Sequence, residues 1–257
     1  MKSIYRIFIA AAVTFSLASC NFLDIVPDEN ATKEDTYSDK EKTEDYLYSC
    51  YSYLPQCNIA QSSLDFFTGD EVVTAFEHKP FSAFPKGNYT AASPVISYWN
   101  TFFQGLRQCY MFLEAVDKTP DLDEDKKIDY KAQAQFLIAY YHYLLARCYG
   151  PIILIKETPD INTTVDSYAH RAPYDECVQW ICDKLDGAAA DLPERRDQIQ
   201  YGLATSVAAK AVKAKMLLYA ASPLFNERAP ELFKNLRDPD NGTQLMPTAY
   251  DANKWVK

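Results

Sequence analysis

The stretch that decides the fold is Tyr201–Asn226, YGLATSVAAKAVKAKMLLYAASPLFN. Val207, Ala211, Ala214, Leu218 and Ala221 recur at steps of four and three, which places them in one stripe along a helix. Ser206, Lys210 and Lys213 supply a polar flank in the first half only. From Met216 to Ala221 no polar stripe remains, so the second half is expected to be enclosed, with the alanines letting neighbouring backbones come close. Pro223 ends the helix. A segment of this pattern cannot stand alone and reads as a central helix of a helical stack.

Working outward, the preceding segment begins at Pro173 and runs to about Asp191, with Val178, Ile181, Leu185 and Ala189 inward and Pro193 closing it. It is the expected antiparallel neighbour of the opening stretch. Upstream, Ser93-Pro94 reads as a cap with proline at the first helical position, opening a helix to about Lys118 through Ile96, Trp99, Phe103, Leu106, Tyr110 and Leu113. Asp121–Asp125 is an acidic start for the next helix, Lys126–Tyr149, which Gly150 and Pro151 stop. These two are expected to pair as a hairpin. Ser38 with Glu41 forms a capping box for a first helix carrying Tyr46, Leu47, Cys50, Tyr51 and Leu54. Ser63–Val73 is a shorter candidate helix, Ile152–Ile155 an extended apolar run, and Lys156–Ala169 a polar connection.

Phe76–Ala92, FEHKPFSAFPKGNYTAA, holds Pro80, Pro85 and Gly87 without a sustained period and reads as a loop. At the far end Tyr250–Lys257 enters another candidate helix and stops without a C-cap signal, so the sequence reads as truncated. The expected fold class is all-α, with tetratricopeptide-like helical hairpins and long irregular loops. Truncation would leave Leu217, Tyr219 and Leu224 partly exposed.

Composition agrees with a packed chain. Among 257 residues 48% are apolar, with 7 Gly against 14 Pro, and 19 of the aromatic residues are Tyr. The first nineteen residues carry Lys2, Arg6 and a twelve-residue apolar run from Ile7 to Ala18, too short to span a bilayer, and read as a signal peptide. Leu17-Ala18-Ser19-Cys20 is similar to the bacterial lipobox, in which cleavage before Cys20 frees it for acylation on thiol and amine. Loss of Lys2 and Arg6 takes the formal charge from −9 to −11, which argues against nucleic acid as a partner. Residues 20–36, polar and acidic after Cys20, then act as a tether.

No CxxC pair and no histidine at ligand spacing accompany the cysteines, so no metal site is expected. Cys109, Cys148 and Cys177 fall on helices as small core residues, and Cys182 points away from Cys177. Cys50 and Cys57 bridge only if Pro55 bends the chain back, because two helical turns would hold them about 10 Å apart.

Several strings, in order, resemble the SusD-like (SusD/RagB) outer-membrane lipoproteins of glycan uptake. They are Cys20-Asn21-Phe22-Leu23-Asp24, Tyr98-Trp99 through Arg107-Gln108-Cys109 with Phe112-Leu113, and AQAQFLIAYYHYLLARCYGPIILI over Ala132–Ile155. His170-Arg171-Ala172-Pro173-Tyr174-Asp175-Glu176, Asp191-Leu192-Pro193 and Ala209–Asn226 follow. The resemblance implies a signal peptide at 1–19, a lipidated Cys20 with a tether to residue 36, and an N-terminal helical domain over 37–257, cut short at its C-terminus. It implies a lipid-anchored protein of the outer membrane facing the cell exterior, which binds an oligosaccharide and passes it to a SusC-like TonB-dependent transporter. Neither a cofactor nor catalysis is implied.

Sugars present apolar C–H faces ringed by hydroxyls, so a glycan site calls for flat aromatic platforms with fixed polar groups, usually on loops. The loop of Phe76, Phe81, Phe84 and Tyr89, with His78, Lys79, Lys86 and Asn88 among them, fits that description and supplies the candidate site residues. Trp99, Tyr140, Tyr141, Tyr143, Trp180 and His142 sit on helical stripes as core, and His170-Arg171 is a structural lead into a helix. Two alternatives stay open: a lipid-anchored helical scaffold for protein assembly, and a surface glycosidase, which would need two flanking carboxylates. The chain carries no GxSxG, HExxH or phosphate-cradling glycine loop.

Overall fold

The computed structural model describes residues 34–56, 82–158 and 170–256. They form seven α-helices: α1 (Lys40–Tyr51), α2 (Ala83–Lys86), α3 (Trp99–Ala115), α4 (Glu124–Tyr149), α5 (Tyr174–Asp191), α6 (Ser206–Ala221) and α7 (Ala229–Leu232). No β-strand occurs among the described residues, only isolated bridges at Thr90–Ser93 and Arg237–Gln244. None of their helices is long and apolar enough to cross a membrane. The fold is all-α, as expected. The expectations for residues 1–33, for Ser63–Val73, for Phe76 and Phe81 and for a Cys50–Cys57 bridge lie at least partly outside the described residues, and Cys50 is a buried free thiol.

The enclosed helix is α4 rather than α6. Its buried residues include Ala132–Ala134, Phe136–Ala139 and Tyr141–Ala146, and the last two runs exceed one turn, so neighbours cover its second half on every side. It packs against α1, α3, α5 and α6. The α3–α4 and α5–α6 neighbours sit as the sequence implies. In α6, however, the buried positions are Ser206, Ala209, Met216, Ala220 and Ala221. Of the expected inward stripe, Val207 and Leu218 are 54% and 60% exposed, and Ala211 and Ala214 are exposed with them. With alanine on most of its faces, α6 carries little hydrophobic contrast, and contact with α5 and α4 chose a different side. Leu217 and Tyr219 are half-buried and Leu224 is exposed. The expected helix from Tyr250 is one 3-10 turn, Ala252–Trp255, seated on α6. Asn226 exchanges two hydrogen bonds with the Asp251 backbone, and Lys254 pairs with Asp175.

Two helix starts differ from the sequence reading. The cap of α1 is Asp39, not Ser38: Asp39 has extended backbone and its carboxylate accepts the Lys42 N–H at 2.9 Å, while the Ser38 hydroxyl turns to Asp35. That amide bond holds the Asp39 carboxyl below its ordinary pKa. Ser93-Pro94 does not open α3, because Ser93 exchanges backbone bonds with Thr90 (3.1 and 3.2 Å) and closes a tight turn. The helix begins five residues later at Trp99.

Inside the stack most polar side chains are closed against one another, the buried Tyr143 hydroxyl and Gln244 Oε1 being exceptions among the described residues. His142 is fully buried; one ring nitrogen meets the Ile138 carbonyl at 2.7 Å and the other accepts the Ile155 N–H at 3.1 Å. Burial pushes its pKa down to about 4, so it is neutral in the folded protein. The Tyr141 hydroxyl donates to the Cys50 carbonyl (2.6 Å), and Tyr110 donates to Ile155 (2.6 Å). The expected extended run thereby lies clamped, with Ile152 accepting the Ala172 N–H. Near the start of α4, Arg196 grips Asp129 bidentately at 2.6 and 2.7 Å and also donates to the Ala204 carbonyl. Gln133 and Tyr51 extend this network to the Ala204 N–H, joining α1, α4 and the entry to α6.

Candidate functional site

The chain between α2 and α3 is where aromatic rings leave the core. Helix α2 is a single turn, and Gly87 stops it in the left-handed region (φ 66°), which costs a side-chain-bearing residue strain but glycine nothing. Gly87 and Asn88 return their N–H groups to Phe84 and Ala83. This reversal sets the Tyr89 ring edge-on to Phe84, with centroids 5.4 Å apart. The Thr90–Ser93 turn follows, and Pro94, Val95 and Ile96 carry the chain to Tyr98 at the head of α3.

These residues form one wall of a cleft of about 450 Å³. The opposite wall is the last turn of α4, Arg147, Cys148 and Tyr149, together with Tyr219 from α6. Phe84 is half-buried and Tyr89 is 50% exposed, so their rings are available rather than packed away. The size suits a few sugar rings, and the mixture of apolar faces with hydroxyls is what such a ligand needs. No carboxylate lies among the described residues lining the cleft. The paired acids that glycoside hydrolysis requires are thus not on its described walls.

The α4 wall is held firmly. Tyr149 Oη accepts the Tyr98 N–H at 3.0 Å, an amide at the head of α3 that no helix carbonyl serves. Its ring stands edge-on to Trp99 at 5.1 Å, and Arg171 lies over the other ring of that pair, 5.3 Å from the Trp99 centroid. Tyr219 is wedged between Tyr143 and Phe225, with centroids 6.4 and 6.5 Å away. Burial pushes the Tyr143 phenol up to about 12, so it remains protonated at neutral pH.

Of the four sequence candidates, the structure brings Phe84 and Tyr89 together; Phe76 and Phe81 lie outside the described residues. Trp99, Tyr140 and Trp180 pack against the core, and Tyr141 and Tyr143 are buried in it. Cys148 departs from its expectation: it is half-buried and lines the cleft. Sequence reasoning missed Tyr98, Tyr149 and Tyr219, which meet only in three dimensions. For Tyr149 the available signal was its place beside the Gly150-Pro151 stop, where a side chain leaves the helical core. Away from the cleft, the His170 ring lies 3.2 Å from Asp238 and 3.9 Å from Asp240, tying the lead into α5 to the 238–243 turn.

Residues 21–218 match the family described as "Starch-binding associating with outer membrane". A SusD-like protein of Bacteroides ovatus is 26% identical over 224 residues, which is 85% of this chain and 39% of that protein. The solved structure titled "BT4246" is 33% identical and superposes with a TM-score of 0.73, covering 85% of this chain and 38% of its own. A "Laminarin binding SusD-like protein", 21% identical with a TM-score of 0.60, covers 78% of this chain and 44% of its own and shares the fold. The chain spans about two fifths of the length of these relatives.

Proposed function

The chain belongs to the SusD-like family, and from that premise we propose that it is a surface lipoprotein that binds oligosaccharide in this cleft. Cys20 carries the acyl anchor in the outer membrane, residues 21–36 tether the helical domain, and the bound glycan passes to a SusC-like TonB-dependent transporter. The protein performs no catalysis on it. The observation that carries this reading is the cleft itself: Phe84 and Tyr89 are turned out of the helical core as an edge-to-face pair, opposite the tyrosines of α4 and α6. The unacidic lining favours binding over hydrolysis. Support for the surroundings comes from the family description and from the lipobox-like Leu17–Cys20.

Electrophoresis of the full-length protein through gels containing polysaccharide tests this. Retardation without release of reducing sugar is the expected result, and release of sugar favours a glycosidase. A second reading, a scaffold for protein assembly, draws on the exposed Val207, Leu218 and Trp255 around α6. Co-purification with a transporter but no response to any glycan supports that reading instead.

A further inference from the structure

The rings of a sugar site explain affinity; its hydrogen-bonding groups explain which sugar is taken. In this cleft those groups differ in how fully the protein itself uses them. Thr90 Oγ1 already accepts the Ser93 N–H. Tyr149 Oη accepts the Tyr98 N–H, but its own O–H hydrogen meets no acceptor among the described residues. Tyr219 Oη has no hydrogen-bond partner among them at all, although its ring is fixed between Tyr143 and Phe225. Elsewhere in the stack the phenols of Tyr51, Tyr110 and Tyr141 are all spent on carbonyls or amides of the protein. Tyr149 and Tyr219 share one wall of the cleft, on two different helices, while the Tyr89 hydroxyl, likewise without a partner among the described residues, stands on the opposite wall, and the partnerless Tyr143 hydroxyl is buried and does not line the cleft.

We propose that Tyr219 and Tyr149 form the polar edge of the binding site, donating their hydroxyl hydrogens to ring or hydroxyl oxygens of a sugar stacked on Phe84 and Tyr89. This rests on the glycan-binding reading of the cleft. Tyr219 is the specificity-determining member, because its ring is fixed between Tyr143 and Phe225 while its hydroxyl serves no group among the described residues. Tyr149 has two tasks: its oxygen caps the head of α3 and its hydrogen faces the ligand. A phenol held by its ring costs little rotamer entropy when it engages a ligand, which suits it to discriminate between sugar epimers that present or withhold an oxygen at one place.

The test is a comparison of the full-length protein with its Tyr219→Phe and Tyr149→Phe variants. The probes are gels containing soluble starch, laminarin, xylan or polygalacturonate, and Tyr201→Phe, an exposed tyrosine outside the cleft, is the control. On the polymer that retards the parent, Tyr219→Phe should weaken binding about three- to tenfold, the loss of one hydrogen bond, while its melting temperature stays put. Tyr149→Phe should weaken binding to a similar degree and also lower the melting temperature, because the Tyr98 N–H loses its acceptor. Parent-like retardation of Tyr219→Phe overturns the inference while leaving the glycan reading intact. Loss of retardation by Tyr201→Phe overturns the assignment to this wall, and failure of all four polymers to retard the parent overturns the underlying reading.

Discussion

Helix α4 contains two regions built from the same residue types and finished in opposite ways. At Tyr141–His142 each polar side chain is buried and closed: the phenol donates to Cys50, and the imidazole bridges Ile138 and Ile155. Two turns on, at Arg147–Tyr149, the side chains are half-buried, line a cleft, and leave a phenolic hydrogen unspent. Aromatic-rich composition therefore says nothing by itself about function. An unspent phenol marks a recognition tyrosine only where it borders a cleft and can serve a ligand; in the core it is a cost, as at the buried, partnerless Tyr143 hydroxyl one residue on from His142.

That contrast predicts where substitutions hurt. The largest stability effect should come from the closed network at the start of α4: Asp129→Ala leaves Arg196, whose side chain is 5% exposed, without its carboxylate partner. A loss of about 3 kcal/mol is expected by urea denaturation, the usual cost of stranding one member of a nearly buried pair. Acid should act on the closed region to a similar extent. His142 titrates near 4 when folded against an ordinary 6.5, so below pH 6.5 the unfolded chain takes up a proton that the folded one refuses. Stability should fall by about 3 kcal/mol between pH 6.5 and 4 from this group alone, and a His142→Leu variant should lose that slope.

Smaller effects follow from packing. A Cβ on Gly105 would meet the Tyr141 ring at 2.9 Å and Tyr53 at 3.1 Å, so Gly105→Ala should cost about 2 kcal/mol and shift the thermal midpoint downward. Tyr141→Phe, removing one buried hydrogen bond, should cost about 1 kcal/mol. At the cleft the order reverses. Phe84→Ala with Tyr89→Ala should change stability by about 0.5 kcal/mol or less, since these rings carry little of the core, yet abolish retention on glycan gels. A double variant that melts early instead would move those rings to the structural side of the comparison.

Much of the fold was legible because local signals agreed with tertiary contacts. The acids at Asp121–Asp125 and the Gly150-Pro151 stop bracket α4 to within two residues, and Pro173 and Pro193 do the same for α5. The buried face of α6 was not legible: alanines on either side make the Val207–Leu218 stripe and the Ala209–Met216–Ala220 stripe nearly equal in hydrophobicity, so only the neighbours decide. Ser93-Pro94 misled because the Ser93 N–H is spent in a turn with Thr90, a partner that helix-start rules do not weigh. In the cleft, Phe84 and Tyr89 were visible because Pro85 and Gly87 break any helical period around them. Tyr98, Tyr149 and Tyr219 were harder to see: Tyr98 sits at the head of α3 and Tyr149 and Tyr219 on α4 and α6, and they converge only because of how those helices pack.

The central claim is that the cleft between the Phe84–Tyr98 segment and the α4–α6 wall is the glycan site. A crystal structure of the full-length protein with an oligosaccharide cut from whichever polymer retards it tests that most directly. The account predicts a sugar ring lying against Phe84 and Tyr89, with an oxygen within hydrogen-bond distance of Tyr219 Oη. A sugar bound elsewhere on the protein, with this cleft empty, would contradict it.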